Sequence, residues 1–480
     1  MSDGQMESQQ SPARLREGGV ARTPEGLVRA LRAGRAPWTR HARISHHNHM
    51  KIHWHKFVDA GEELAVNASM ADKSSIICRA GLLMLSGGTG GWRVRETMNR
   101  IARVLGVTCA VDLSLTTIEC TCFDENDSFS EVLALPSAGV NTERIWYMEK
   151  FLTQVETLGR EFTVHEFHEL LDVIEHKKGN YAPWQVGLAS AAACGAFVFL
   201  LGGGPIEMGC AFIGAGLGNY VRRLMIDRHM TLFACVGISV AIACLAYLGS
   251  LGLLSLVYPP AMGHEGGYIG AMLFVIPGFP LITSGLDIAQ LDMRSGMERG
   301  MHAISVIVVA TMVGWLVASP TPLHPDDFLP LGLTPPVLTL LRMAMSFVGV
   351  FGFSVMFNSP AKMCAVAGVG GVVANTLRLS LVDFAHMPPE AAAFVGALTA
   401  GLIATLMGLK FGYPRISITV PSIVIMVPGL YMYRAVYYMG MFQTVDAMEW
   451  VIRAAMIVLF LPLGLAAARI LTDANWRHVS

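Results

Sequence analysis

Charge is what this chain has least of: 15% of its 480 residues are Asp, Glu, Lys or Arg, against 53% hydrophobic residues. That is too little polar surface for two or three water-soluble domains of this length. A formal net charge of -1 leaves no basic surplus for nucleic acid. The first 20 residues lack an apolar stretch after a basic start, so a cleaved secretory leader is not expected. None of the nine cysteines forms a C-x-x-C; Cys120 and Cys122 share one face of an expected strand and read as a buried, reduced pair rather than a metal site. The apolar part has no His-Glu-x-x-His, Gly-x-Ser-x-Gly or phosphate loop, which removes the usual basis for a hydrolase or an ATP-driven pump. No enzyme activity, metal or cofactor is expected.

What is present is a series of apolar stretches after Pro183. Those from Val186 to Leu201, Ile206 to Met225, Met230 to Leu251, Tyr268 to Ala289 and His302 to Ala318 make a first set. Val337 to Phe357, Met363 to Leu381, Ala391 to Leu409, Ile416 to Tyr438 and Val451 to Ile470 make a second. Each is near the roughly 20 residues that cross a hydrocarbon core of ~30 Å; nine or eleven spans stay open, because the shortest depend on where their ends are drawn. Lys177, Lys178, Arg222, Arg223, Arg228, Arg294, Arg299, Lys362, Lys410 and Arg415 all fall on one set of connectors, and the alternate connectors carry no Lys or Arg. The positive-inside rule then puts both termini in the cytoplasm. Five crossings per set is an odd number, so the second set enters from the opposite face, and the two are expected to be inverted-topology repeats.

Each set has a Pro-Gly break in its fourth segment. Pro428-Gly429 follows Pro277-Gly278 by 151 residues, and Gly214-Ala215-Gly216 is answered by Gly368-Val369-Gly370 154 residues on. Proline removes an N–H and clashes with the carbonyl four residues back, so Pro277 is expected to free the Leu273 carbonyl, Pro280 that of Ile276, Pro421 that of Ser417 and Pro428 that of Val424. Unsatisfied backbone is costly in hydrocarbon unless it lines a cavity. The alternative is a plain structural kink in each helix, which the pairing of the breaks disfavours. Pro277, Gly278, Pro428 and Gly429 are therefore candidate substrate-binding positions, with Thr283, Ser284, Ser422, Asn219 and Asn375 as nearby hydroxyls and amides. Asp287 and Arg434 lie beyond the two breaks, toward the cytoplasmic and external ends respectively, and are candidates for proton coupling or gating.

The front of the chain divides into a histidine- and arginine-rich tail expected to be disordered (1–55) and a small cytoplasmic α+β domain (56–183). The first membrane repeat is placed at 184–320 and the second, with a short cytoplasmic tail, at 321–480. Helical spacing runs from Phe57 to Leu85 and from Arg93 to Leu105, period-2 patterning from Thr108 to Cys122 and around Ser130 to Leu135, and helical spacing again from Thr142 to Leu158 and Val164 to His176. The glycine turn Ser86-Gly87-Gly88-Thr89-Gly90-Gly91 lacks the lysine and preceding strand of a nucleotide loop. A scaffold or gate over the cytoplasmic mouth suits this domain better.

Three stretches resemble the bacterial threonine/serine exporter family: Leu85-Ser86-Gly87 with Trp92 to Gly106, Ile276-Pro277-Gly278-Phe279-Pro280-Leu281-Ile282-Thr283-Ser284-Gly285-Leu286-Asp287, and Val420-Pro421-Ser422-Ile423-Val424-Ile425-Met426-Val427-Pro428-Gly429-Leu430-Tyr431. The resemblance spans roughly Lys56 to Ile470. It implies a soluble N-terminal portion, ten membrane spans, and export of threonine and serine driven by the proton motive force across a bacterial inner membrane. The partners it implies are a small amino acid, protons and membrane lipid, with a homo-oligomer left open. A carrier for another small metabolite such as a dicarboxylate, or a membrane regulatory protein, are the alternatives. After Ser86-Gly87 many relatives have a small residue and then a glutamate, where this chain has Gly88-Thr89-Gly90-Gly91.

Overall fold

A computed structural model describes residues 52, 54–56 and 63–477. The tail expected to be disordered lies outside the described residues except at its last positions. There Trp54–Lys56 form a 3-10 turn, with His55 Nε2 2.6 Å from an Asp172 carboxylate oxygen and Trp54 stacked on His168.

A mixed domain follows, built from helices α1 (Met70–Ser86), α2 (Gly91–Val104), α3 (Thr142–Leu158) and α4 (Val164–Glu175) around a three-stranded antiparallel sheet of β1 (Thr108–Leu113), β2 (Thr117–Phe123) and β3 (Ser128–Ala134), in the order β1-β2-β3. Of the helix expected from Phe57 to Leu85, positions 57–62 lie outside the described residues; the described helix begins at Met70, where the Ser69 side chain accepts the Asp72 amide and caps it. The period-2 run from Thr108 to Cys122 is two strands rather than one. Ser114 Oγ accepts the amides of Thr116 and Thr117 and turns the chain into a hairpin. Along β2, Ile118, Cys120 and Cys122 alternate inward, as a one-sided sheet requires. The two cysteine sulfurs lie 3.8 Å apart and both cysteines are free.

The rest is helical: α5 (Pro183–Leu200), α6 (Pro205–Asp227), α7 (Leu232–Ser255), α8 (Tyr268–Met272), α9 (Gly278–Ala289), α10 (Met293–Ala318), α11 (Pro335–Met356), α12 (Ala361–Ala385), α13 (Pro389–Phe411), α14 (Arg415–Val424), α15 (Gly429–Gly440) and α16 (Thr444–Thr472). Prolines at the first turn of α5, α6, α11 and α13 cost no hydrogen bond, since those amides have no intrahelical partner. Among the described residues, seven helices are long and apolar enough to cross a membrane, or nine if each of two bent pairs is one span. Helix α6, 23 residues long, is not among them and carries Glu207, Arg222, Arg223 and Asp227. The segments expected from His302 and Val451 start earlier, at Met293 and Thr444, and run through polar first turns.

Large apolar side chains such as Leu253, Leu316, Leu406 and Leu459 face outward, while small residues sit between helices. A Cβ on Gly214 would fall 2.6 Å from the Ala243 carbonyl and one on Gly464 2.5 Å from that of Phe394, so only glycine permits these backbones to approach. The molecule is an α-helical polytopic membrane protein with a small mixed domain at its N-terminal side.

Candidate functional site

The two breaks share one backbone geometry. Pro277 (φ -81, ψ 63) and Pro428 (φ -81, ψ 53) each sit at the centre of an inverse γ-turn. It is closed by the Gly278 amide on the Ile276 carbonyl and by the Gly429 amide on the Val427 carbonyl, both at 2.8 Å. The carbonyls expected to be freed are taken up by tightened turns: Leu273 accepts from Ile276 at 3.1 Å and Val424 from Val427 at 3.2 Å. Pro280 breaks nothing further, since it lies within the first turn of α9. What the breaks do leave is two new helix N-termini, whose first-turn amides have no intrahelical acceptor. The chain bends by 57° at the first and 49° at the second.

These ends face each other. A Cβ on Gly278 would lie 2.7 Å from Val424 Cγ2, and one on Gly429 2.6 Å from Leu273 Cδ2. Between them is a cavity of about 10 Å³ walled by Phe197, Ile276, Phe353 and Val427, room for about one water. From this point α9 runs toward the mixed domain and α15 runs toward the 319–334 connector, because Asp287 meets Gly91 and Arg434 meets Pro325.

Of the residues singled out by sequence, Gly278 and Gly429 line this cavity, and Pro277 and Pro428 precede them at the two breaks. The hydroxyls and amides are not in the cavity wall. Thr283 Oγ1 donates to the Phe279 carbonyl, Ser284 Oγ to Gly296, and Ser422 Oγ to Ala367 and Ile418. Asn219 Nδ2 donates to the Val186 carbonyl at 3.3 Å and Asn375 Nδ2 to Ser346 Oγ at 2.9 Å. Each of these bonds satisfies a polar group within helix packing, the commonest way a membrane helix accommodates one.

At the domain end, Asp287 is 0% exposed. Its Oδ1 accepts the Gly91 amide at 2.9 Å, its Oδ2 accepts Ser295 Oγ at 3.0 Å, and Arg299 Nε lies 3.3 Å away. Gly91 opens α2, so the carboxylate sits at a helix N-terminus, where donors and dipole favour an anion. This contact explains the glycine turn: a Cβ on Gly90 would be 2.3 Å from Asp287 Oδ1 and one on Gly91 2.9 Å from Ser295 Oγ. Arg299 Nη1 donates to the Gly88 carbonyl at 3.2 Å, while its Nη2 is buried without an acceptor among the described residues. Thr89, where the family resemblance leads one to expect a glutamate, is buried, and its hydroxyl has no partner among the described residues.

At the far end, Arg434 Nη2 donates to Asp327 at 2.8 Å and Nε to the Pro325 carbonyl at 3.0 Å, with its guanidinium 4.8 Å from the Trp450 ring centre. One residue before Arg434, the Tyr433 hydroxyl accepts that of Tyr268 at 2.6 Å. Sequence reasoning missed Glu207 and His264. Glu207 is 2% exposed and accepts the Gly204 amide at 3.0 Å, with His264 Nδ1 2.7 Å away. The available signal was a carboxylate two residues past Gly204-Pro205 in an otherwise apolar run. Among the described residues no three His, Cys, Asp or Glu side chains are placed to hold a metal ion.

Comparison with known proteins places this architecture. The family described as "Putative threonine/serine exporter" matches residues 75–320, and that described as "Threonine/Serine exporter, ThrE" matches 342–471. A "Probable threonine/serine exporter" of Mycobacterium tuberculosis is 24% identical over 82% of this chain and 74% of that protein. A "Probable succinate transporter subunit YjjP" of Escherichia coli is 23% identical over 50% of this chain and 91% of that protein. "Pheromone-regulated membrane protein 10" of Debaryomyces hansenii is 20% identical over 61% of this chain and 29% of that protein. No solved structure matches. With one family covering more than half of the chain and its sister most of the remainder, paired broken helices and a mixed N-terminal domain included, the chain belongs to the threonine/serine exporter family of membrane transporters.

Proposed function

We propose that this chain is a secondary active exporter of small hydroxylated amino acids, L-threonine and L-serine, working by proton antiport with alternating access around its two broken helices. The observation that carries this reading is the meeting of two half-helix N-termini across one small cavity. Such ends offer amide donors to a carboxylate, and broken helices at the meeting of two repeats are where transporters hold small charged solutes. Pro277, Gly278, Pro428 and Gly429 supply the binding backbone, and Thr283, Ser284, Ser422, Asn219 and Asn375 hold the helices around it. At about 10 Å³ the cavity is too small for an amino acid, so binding one requires the helices around it to part.

The order of three long helices, a broken pair and a long helix occurs twice, α5 to α10 and α11 to α16. Counting α6, this supports ten spans in two inverted repeats. The Lys and Arg distribution supports a cytoplasmic mixed domain and cytoplasmic termini in a bacterial inner membrane. Asp287 then lies on the cytoplasmic side. A proton arriving there removes the charge that Arg299 and the Gly91 amide hold, which releases the start of α2 from the end of α9. Arg434 gates the opposite side through the 319–334 connector.

The test is counterflow in proteoliposomes with threonine, serine and succinate, repeated under an imposed pH gradient. Threonine and serine exchange accelerated by the gradient is expected; exchange indifferent to it would overturn the antiport. The relatives described as succinate transporter subunits favour a second reading, a dicarboxylate carrier. Succinate exchange without threonine exchange would establish that one instead.

A further inference from the structure

We propose a second ligand site, for a phosphate-bearing anion, at the seam between the mixed domain and the membrane helices. A cavity of about 390 Å³ opens there between α3, the first turn of α2, the turn before α14 and the end of α16. Its wall carries four cations, Arg93, Lys150, Arg415 and Arg469, against two carboxylates, Glu149 and Asp473.

The carboxylates leave the cations unsaturated. Arg93 pairs with Glu149, but its Nε is buried with no acceptor among the described residues. Arg415 Nη1 is 3.9 Å from Asp473, too far for a hydrogen bond. Lys150 Nζ stands 3.7 Å from the Trp146 ring centre. Arg469 is the decisive residue. It is 8% exposed, its side chain makes no hydrogen bond or ion pair among the described residues, and its guanidinium lies beside both Trp92 and Trp476, at 4.8 and 5.1 Å, where those two rings meet edge to face.

A buried guanidinium without an anion is costly. Two aromatic rings shield it from water but offer no hydrogen-bond acceptor, so its N–H groups stay available, the planar fork that matches phosphate. Helix α14 begins at the same wall after Pro414, so its first-turn amides add donors there. The space is several times larger than one phosphate group. Trp146 and Tyr413, 5.3 Å apart, stand beside it, and exposed Phe411 and Leu409 continue from the turn onto the outer surface of α13. These are features of a membrane-interface level. A phospholipid headgroup and a soluble phosphorylated anion share the chemistry this wall recognises. Either would bridge Arg93 and Lys150 on the mixed domain to Arg415 and Arg469 on the membrane helices. The site does not rest on the transport reading.

Two probes separate the sources, each added to the full-length protein in neutral detergent: inorganic pyrophosphate, and phosphatidylglycerol with phosphatidylcholine as its uncharged-net control. Tryptophan fluorescence reads binding, since Trp92, Trp146 and Trp476 all border the site. One of the two anions is expected to give a saturable change, with an apparent Kd raised roughly tenfold or more in Lys150→Gln/Arg415→Gln. Those two side chains are partly exposed, so the variant tests binding without disturbing the buried contact of Arg469 with the two tryptophans. Arg103→Gln/Arg160→Gln, with the same charge removed elsewhere on the domain, is expected to bind as the parent does. No saturation with either anion, or equal weakening in both variants, would overturn the site. So would displacement of the bound anion by L-threonine, which would make the cavity part of the solute path.

Discussion

The two broken helices are alike at the break and unlike at their ends. Helix α9 ends under a folded domain, with Asp287 fully buried and held by an amide, a hydroxyl and a guanidinium. Helix α15 ends under a connector, with Arg434 6% exposed but its partner Asp327 92% exposed. A buried charge must be compensated by several fixed groups, whereas a pair with one member in water gains little. One closure is therefore stiff and depends on a domain nearly 200 residues away in the chain; the other is a loop contact that costs little to open. If the two sides open alternately, the domain side is the one where something must act to release it.

The largest expected effect comes from removing the buried charge. Asp287→Asn leaves Arg299 unpaired, at a cost of about 3–5 kcal/mol; thermal unfolding should fall accordingly and proton-driven flux should be lost. Adding Arg299→Gln should return much of the stability without the flux. Full proton-driven threonine flux in Asp287→Asn would remove Asp287 from the coupling step and make the domain-side contact a purely structural one.

Acid should weaken the closing domain from within. Burial, together with the neighbouring Arg79, pushes the His168 imidazole down from 6.5 to about 3. Arg79 Nη1 donates to His168 Nδ1 at 3.0 Å, so the ring is held neutral. The unfolded chain binds the proton first. The stability this contributes is complete above pH 6.5 and is lost as pH falls toward 3, by up to a few kcal/mol. His168→Gln should flatten that part of the pH profile of unfolding. An unchanged profile would mean that acid sensitivity lies elsewhere.

The shared geometry of the breaks is tested by Gly278→Ala and Gly429→Ala. The new methyls meet Val424 Cγ2 at 2.7 Å and Leu273 Cδ2 at 2.6 Å, so each should cost about 1–3 kcal/mol and slow exchange. Similar losses in the two variants sharpen the pairing of the breaks, and a loss confined to one breaks it. The smallest effect should be Arg434→Gln, which forfeits a half-exposed ion pair worth about 1 kcal/mol or less. Faster hydrogen exchange across 319–334 with little change in unfolding temperature is the expected result. A loss as large as that of Asp287→Asn would overturn the contrast between domain and loop.

Local chemistry was legible before any coordinates. The Pro-Gly breaks, the apolar spans and the inward face of Cys120 and Cys122 follow from ring closure, hydropathy and period, all short-range properties. The hairpin at Ser114 was missed because the period-2 pattern runs straight through it, and one serine hydroxyl decides the turn. Asn219 and Asn375 were expected near the solute path, but an asparagine that follows a glycine-rich stretch reads the same whether it faces a cavity or a neighbouring helix. Their hydrogen bonds to Val186 and Ser346 depend on helix–helix packing. The glycine turn was read as something other than a nucleotide loop from its missing lysine and strand, but its requirement, room for Asp287 against Gly90 and Gly91, is visible only across 196 residues of chain.

By itself, then, the sequence determined a membrane-embedded helical protein with two equivalent breaks, because solvent preference and proline stereochemistry act on each segment alone. Only the tertiary structure decided that the two breaks close on one small cavity and that Asp287 caps a helix of the mixed domain. It also decided that Glu207 meets His264. Those are contacts between elements far apart in the chain, set by how whole helices pack.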